Sequence, residues 1–250
     1  MRLPNQLVGL ALLFLAAGCS APQPYPNNPA VSDAQGTPRD STSFYFRAND
    51  SLPADDDSEN CSRSLLAASK YMVYFERPVL SNYYLHADVY RFLWLRAFDR
   101  PVLLTLYRDS TGTTLRTQIL RRHLGYKPGT IPFPKSPAGA AMPHVSTAII
   151  SANQQAAQKR RTLRAVAEET ITPVSPGQWQ HLENLVQQAD FWQMPPCRRR
   201  IVLDGASWLL EGHTRAGYHT VLRTSPAEGG FRAACEYLLD LSSARNEKRY

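Results

Sequence analysis

The 250-residue chain contains no C-x-x-C pair, no repeat of fixed period and, beyond its first twenty residues, no apolar run approaching the ~18 residues of a membrane-spanning helix. Its 13 glycines and 19 prolines are too few and too irregular for a collagen-like chain, and an apolar fraction of 43% with 20% charge sets it apart from disordered sequences. The six histidines, His86, His123, His144, His181, His213 and His219, are scattered rather than placed at ligand spacing. No metal and no cofactor are expected. Basic runs at Arg121-Arg122-His123, Lys159-Arg160-Arg161 and Arg198-Arg199-Arg200 lack interleaved aromatics or a reader motif. Nucleic acid is therefore discounted as a partner.

What is present begins with an address. Arg2 precedes an apolar stretch from Leu7 to Ala17, the length of a signal-peptide core and too short to span a bilayer. The stretch closes on Leu15-Ala16-Ala17-Gly18-Cys19, which resembles a bacterial lipobox. The resemblance implies cleavage before Cys19 and acylation of that cysteine with palmitate-type chains, and two or three chains suffice for stable anchoring. Ala16 stands where a larger aliphatic is commoner. An ordinary secretory signal with a chance cysteine, or an uncleaved anchor, are the competing readings. Residues 1–18 are thus expected to be a lipoprotein signal peptide, with the mature chain tethered to a membrane outside the cytoplasm.

Residues 19–60 read as a lipidated, disordered tether, acidic and punctuated by Pro22, Pro24, Pro26, Pro29 and Pro38. Seven acids against two arginines give residues 20–60 a charge of −5, whereas residues 61–250 carry +11. Phe44, Tyr45 and Phe46 interrupt the tether and are candidates to pack onto the body. The basic body suits anionic lipid, polysaccharide or envelope proteins, although solvated charge on outward faces is the simpler account.

Residues 61–250 are expected to form a single α+β domain, an antiparallel sheet made of a meander and a C-terminal hairpin, with two or three helices packed on one face. In Val89 to Phe98, Tyr90, Phe92, Trp94 and Phe98 alternate with Val89, Leu93 and Leu95, so both faces are largely apolar and the strand belongs in the sheet interior. Turns at Asp99-Arg100-Pro101 and Asp109-Ser110-Thr111-Gly112 complete the meander. The proline- and glycine-rich stretch from His123 to Asn153 reads as a long excursion, followed by a strand near Thr162 to Thr172. Ser175, Pro176 and Gln178 form a capping box ahead of a stripe of Trp179, Leu182, Leu185, Val186 and Ala189. Ser225-Pro226-Ala227-Glu228 repeats that start signal before Phe231, Cys235, Leu238 and Leu239.

With Cys19 lipidated, Cys61, Cys197 and Cys235 allow at most one bridge. All three pairings are open, as is no bridge, and Cys197 with Cys235 is the preferred one because both flank the C-terminal unit. The speculative catalytic set is Asp204, Glu211 and His219. A five-residue hairpin loop, 213–217, would put Glu211 opposite His219 as an orienting pair, and a loop one residue shorter would put Glu211 opposite Thr220 and break it. Ser207 is a poor nucleophile, since Gly205-Ala206-Ser207-Trp208-Leu209 lacks the second glycine of a nucleophile elbow.

The segments Tyr90-Arg91-Phe92-Leu93-Trp94-Leu95-Arg96, Asp204-Gly205-Ala206-Ser207-Trp208-Leu209-Leu210-Glu211-Gly212 and Tyr218-His219-Thr220-Val221-Leu222-Arg223 resemble those of a family of uncharacterised bacterial lipoproteins with no established activity. Relatives often carry an aromatic before the Ser-Pro, where this chain has Thr224. The resemblance implies a real domain and no mechanism. The functional expectation is a membrane-anchored envelope protein serving as a non-enzymatic binding or structural module. The alternative is an envelope hydrolase or transferase using His219 with Glu211 or Asp204, and a third reading makes it a subunit of an envelope complex.

Overall fold

In the computed structural model, which describes residues 24–40, 43–46, 56–121, 165–198 and 204–249, the period-two runs of the sequence meet in one sheet. Helix α1 (Asp56–Phe75) precedes the meander β1 (Asp88–Arg96), β2 (Val102–Asp109) and β3 (Gly112–Leu120). Then come β4 (Val166–Pro173), α2 (Pro176–Gln188), a 3-10 turn (Phe191–Gln193) and β5 (Cys197–Arg198). The hairpin β6 (Ala206–Thr214) and β7 (Gly217–Thr224) leads to α3 (Gly230–Leu241). The seven strands lie in the order β4-β3-β2-β1-β6-β7-β5, antiparallel throughout except where β5 runs parallel to β7. The architecture is α+β. Among the described residues, no helix is long and apolar enough to cross a membrane.

β1 is central, pairing with β2 on one side and β6 on the other, and both of its faces are covered. Tyr90, Phe92 and Trp94 point to the face where α2 brings Trp179, Leu182 and Val186 and α3 brings Phe231, Cys235, Leu238 and Leu239. Each large apolar side chain removed from water there contributes about 1.5–3 kcal/mol. The indole N–H groups of Trp94, Trp179 and Trp208 are buried without an acceptor, a cost normally avoided. An arginine lies over each ring: Arg96 at 4.3 Å from Trp94, Arg108 at 4.0 Å from Trp179 and Arg232 at 5.4 Å from Trp208.

The opposite face carries the third helix, which departs from the expectation that the helices share one face. Cys61, Leu65, Ala68, Met72 and Phe75 recur at spacings of three and four along α1 and pack on Leu93, Leu103, Leu209 and Leu222. A sheet with leucines on both faces needs a layer on each.

Helix α2 starts as its sequence indicates. The Ser175 hydroxyl accepts the Gln178 N–H at 3.2 Å, and the Gln178 side chain accepts the Ser175 N–H at 2.8 Å. The second Ser-Pro behaves differently. Ser225 Oγ accepts from Ala206 N–H at 2.9 Å, tying the chain back to β6, and α3 begins later with Gly229 as its N-cap. A Cβ on Gly230 would lie 2.7 Å from the Ala189 Cα, so the start of α3 approaches the end of α2 closely enough to require glycine there.

The expected tether is corrected in its described part. Residues 24–40 and 43–46 lie on the body as a strap, with Tyr45 and Phe46 buried against α1 and the sheet, and α1 itself begins at Asp56, inside the range read as linker. Asn82 does most of the stitching: its amide N–H₂ donates to the Asn28 carbonyl at 2.8 Å and to Ser32 Oγ at 2.7 Å, while its Oδ1 accepts the Asn28 N–H at 2.8 Å. Val79 N–H donates to Gly36 O at 2.8 Å, and Ser81 Oγ donates to Tyr45 O at 2.9 Å. Few apolar residues suffice because the strap's backbone groups find partners on the body. Cys19 and the excursion at 123–153 lie outside the described residues.

Candidate functional site

The hairpin register decides the fate of the proposed catalytic pair. Thr214 opposes Gly217 across the two-residue turn Arg215-Ala216, so Glu211 faces Thr220 and Gly212 faces His219. Glu211 and His219 therefore point to opposite faces of the sheet, and the expected dyad is not formed. Gly217, at a φ of 145° that glycine enters freely, brings the chain back after two loop residues where five were assumed. Asp204 is an exposed turn residue with φ of 58°, a left-handed conformation that aspartate tolerates, and it approaches neither partner closely enough for any contact among those observed.

His219 sits on the α2 face, edge-on to Phe191 at 5.2 Å between ring centroids, with Nε2 2.9 Å from the Met194 carbonyl. Burial lowers its pKa below the usual histidine value, an effect only partly offset by that carbonyl. Its role is to hold the 3-10 turn against β7. Gly212 beside it admits Trp192, whose ring would lie 2.7 Å from any added Cβ.

On the other face, Glu211 meets a partner that sequence reasoning passed over. Register places it across from Arg91 on β1, and the two side chains form a fork: Arg91 Nε to Oε2 at 2.5 Å and Nη2 to Oε1 at 2.9 Å. Tyr218 donates its hydroxyl to Oε1 at 2.8 Å, and Arg91 Nη1 reaches the Pro78 carbonyl at 2.7 Å. Arg91 is 1% exposed and Glu211 0%. Burial and the adjacent carboxylate push the Tyr218 pKa well up, so its proton stays on to donate. A bidentate pair with one further hydrogen bond on each partner is the geometry that lets such a charge pair survive burial.

Two residues along β6 on the same face is His213, also fully buried. Leu85 N–H donates to Nε2 at 3.1 Å, so the ring proton is on Nδ1, facing the Leu80 carbonyl at 2.8 Å. The Tyr25 hydroxyl lies 3.0 Å from Nδ1 and shares its own proton between the Thr214 and Gly217 carbonyls at 2.8 and 3.0 Å. Burial pushes the His213 pKa down to about 4, so the ring is neutral at pH 7. Tyr84 stacks on it at 5.6 Å and His86 follows beyond. Arg91, Glu211, Tyr218 and His213 thus form a buried polar seam that joins β1, β6, β7 and the strap.

The cysteine pairing is likewise corrected. Cys61 on α1 bonds Cys197 on β5, with Cα atoms 5.7 Å apart, and Cys235 is a buried free thiol in the core under α3. Cys197 and Cys61 share the α1 face of the sheet while Cys235 belongs to the other, which forbids the preferred pairing. The surface depressions at the start of α3, around Glu228, Arg232 and Glu236, and beside the β2–β3 turn, around Arg108 and Trp179, are open and contain none of Asp204, Glu211 and His219. Among the described residues, no cluster of three or more His, Cys, Asp or Glu side chains is arranged to hold a metal ion.

Arg91 and Glu211 had a signal in the sequence: each is a lone charge inside an apolar strand, and such a charge needs a buried partner. His213 and Tyr25 had none, because they meet across a sequence separation of 188. No family model matches this chain, and neither a curated protein nor a solved structure shows significant similarity to it.

Proposed function

We propose that this chain is a lipid-anchored protein of the bacterial cell envelope, belonging with the uncharacterised lipoproteins it resembles, and that its described residues form a non-enzymatic binding or structural module. The observation that carries the reading is the Cys61–Cys197 disulfide. Disulfides of this kind persist in oxidising compartments and are rare in the cytosol, so the bond supports export independently of the leader that first suggested it. It also leaves Cys19 outside the bonded pair, as a lipidated cysteine would be.

The catalytic alternative loses its motive with the dyad: Glu211 is saturated by Arg91 and Tyr218, and His219 is turned to the other face. The seam ties strap to sheet, an architectural task. Partners of the module are anionic polysaccharide, anionic lipid or envelope proteins, in keeping with its basic composition. Treating producing cells with globomycin and weighing the N-terminus tests the reading. Accumulation of an uncleaved precursor, with a diacyl- or triacyl-cysteine at position 19 in untreated cells, is the expected result. Processing unchanged by the drug removes the lipid anchor from the proposal.

A further inference from the structure

The strap turns a long tether into a short one. Tyr25 is fixed to the β6–β7 hairpin through its hydroxyl and its ring contact with His213 at 5.0 Å, so only the chain from Cys19 to Tyr25 separates the hairpin from the acylated residue. That length, fully extended, reaches about 20 Å. The nine-residue strands β1 and β6 are about 30 Å long, and their far end carries Phe98, which is 74% exposed. An anchor that reaches less far than the domain is long cannot let the domain stand on its far end.

We infer that the hairpin end of the sheet, with Arg215, Tyr84 and His86 around Tyr25, is seated against the lipid surface that holds the anchor; this rests on the acylation of Cys19 proposed above. The chemistry of that end suits a headgroup layer. Tyr84 is half-buried with an amphipathic ring, and Arg215 and His86 are exposed at the same end. Aromatic rings with polar tips and arginines are the side chains favoured where hydrocarbon meets water. Seating this end leaves Arg121 and Arg198, which the strand order places at or towards the other end, facing away from the bilayer. Their anionic partner is then sought in the envelope beyond the membrane rather than in its headgroups.

The test uses the full lipidated chain reconstituted in vesicles of phosphatidylethanolamine and phosphatidylglycerol that contain a headgroup-nitroxide lipid. A fluorophore is attached through Arg215→Cys or Phe98→Cys; Cys61 and Cys197 are bonded and Cys235 is buried, so the new thiol takes the label. Quenching several-fold stronger at 215 than at 98 is expected. A Gly-Ser insert of about 30 residues between Gln23 and Pro24, with a root-mean-square reach of about 30 Å, should abolish the difference if the short tether enforces it. Equal or reversed quenching on a chain whose mass shows the acyl groups and which sediments with vesicles overturns the seating and leaves the anchor standing. A mass without acyl groups and no sedimentation overturns both.

Discussion

The two faces of the sheet are held by different physics. The α2–α3 face is an apolar layer of Trp94, Trp179, Trp208 and their aliphatic neighbours, assembled from segments with strong local signals. The α1 face combines leucines with a buried Arg91–Glu211 pair, a neutral buried histidine, a disulfide and a strap from early in the chain. Hydrophobic layers tolerate adjustment, because burial is non-directional. Polar seams do not, since each member left unpartnered costs its full desolvation. The α1 face should therefore be the brittle one, sensitive to single polar substitutions, to reductant and to acid.

The largest expected effect comes from cutting the seam. Arg91→Met leaves the Glu211 carboxylate buried without its counter-charge and should cost about 3–5 kcal/mol in urea or guanidinium unfolding. The double variant Arg91→Met, Glu211→Leu should recover much of that loss. A double variant as unstable as the single one would show that the pair itself, and not the stranded charge, supports the face. Next comes the cross-link. Cys61→Ser together with Cys197→Ser opens a loop with a sequence separation of 136 residues, and a loss of about 2–5 kcal/mol is expected. Dithiothreitol should lower the melting temperature of the wild type and leave the double serine variant unmoved.

Acid supplies the third test. His213 titrates at about 4 in the folded chain against an ordinary value near 6.5, so between those pH values the unfolded chain binds more protons than the folded one. Its contribution is fully present above about pH 6.5 and is lost as pH falls towards 4, by up to about 3 kcal/mol. His213→Gln should flatten the stability profile in that window whatever it does to stability at pH 7. An unchanged slope would mean that another group governs the acid limb. The smallest effect belongs to the apolar face: Ser175→Ala removes one capping interaction from α2 and should cost about 1 kcal/mol. A loss on the scale of Arg91→Met would reverse the contrast between the faces.

How much of this was legible in the residues follows the same division. The meander, the hairpin strands and α2 announce themselves through alternation, turn chemistry and a capping box, all of which act within a dozen residues. Helix α1 went unread although Cys61, Leu65, Ala68, Met72 and Phe75 recur at helical spacing, and the acidic and proline-rich stretch before it drew the domain boundary too late. Ser225 shows the limit of a local motif, because its hydroxyl had a better acceptor role on Ala206 than at a helix start. The catalytic guess failed on a single residue of hairpin register, which interchanges the two faces of a strand.

By itself, then, the amino-acid order determined the meander, the hairpin strands and α2, and that β1 lies in the sheet interior, since those properties arise from neighbours along the chain. Only the tertiary structure decided that Glu211 belongs to Arg91, that Cys61 bonds Cys197 and that Tyr25 closes over His213. These are contacts between residues more than a hundred positions apart, selected by strand register and by which face each side chain enters, and no local periodicity encodes either.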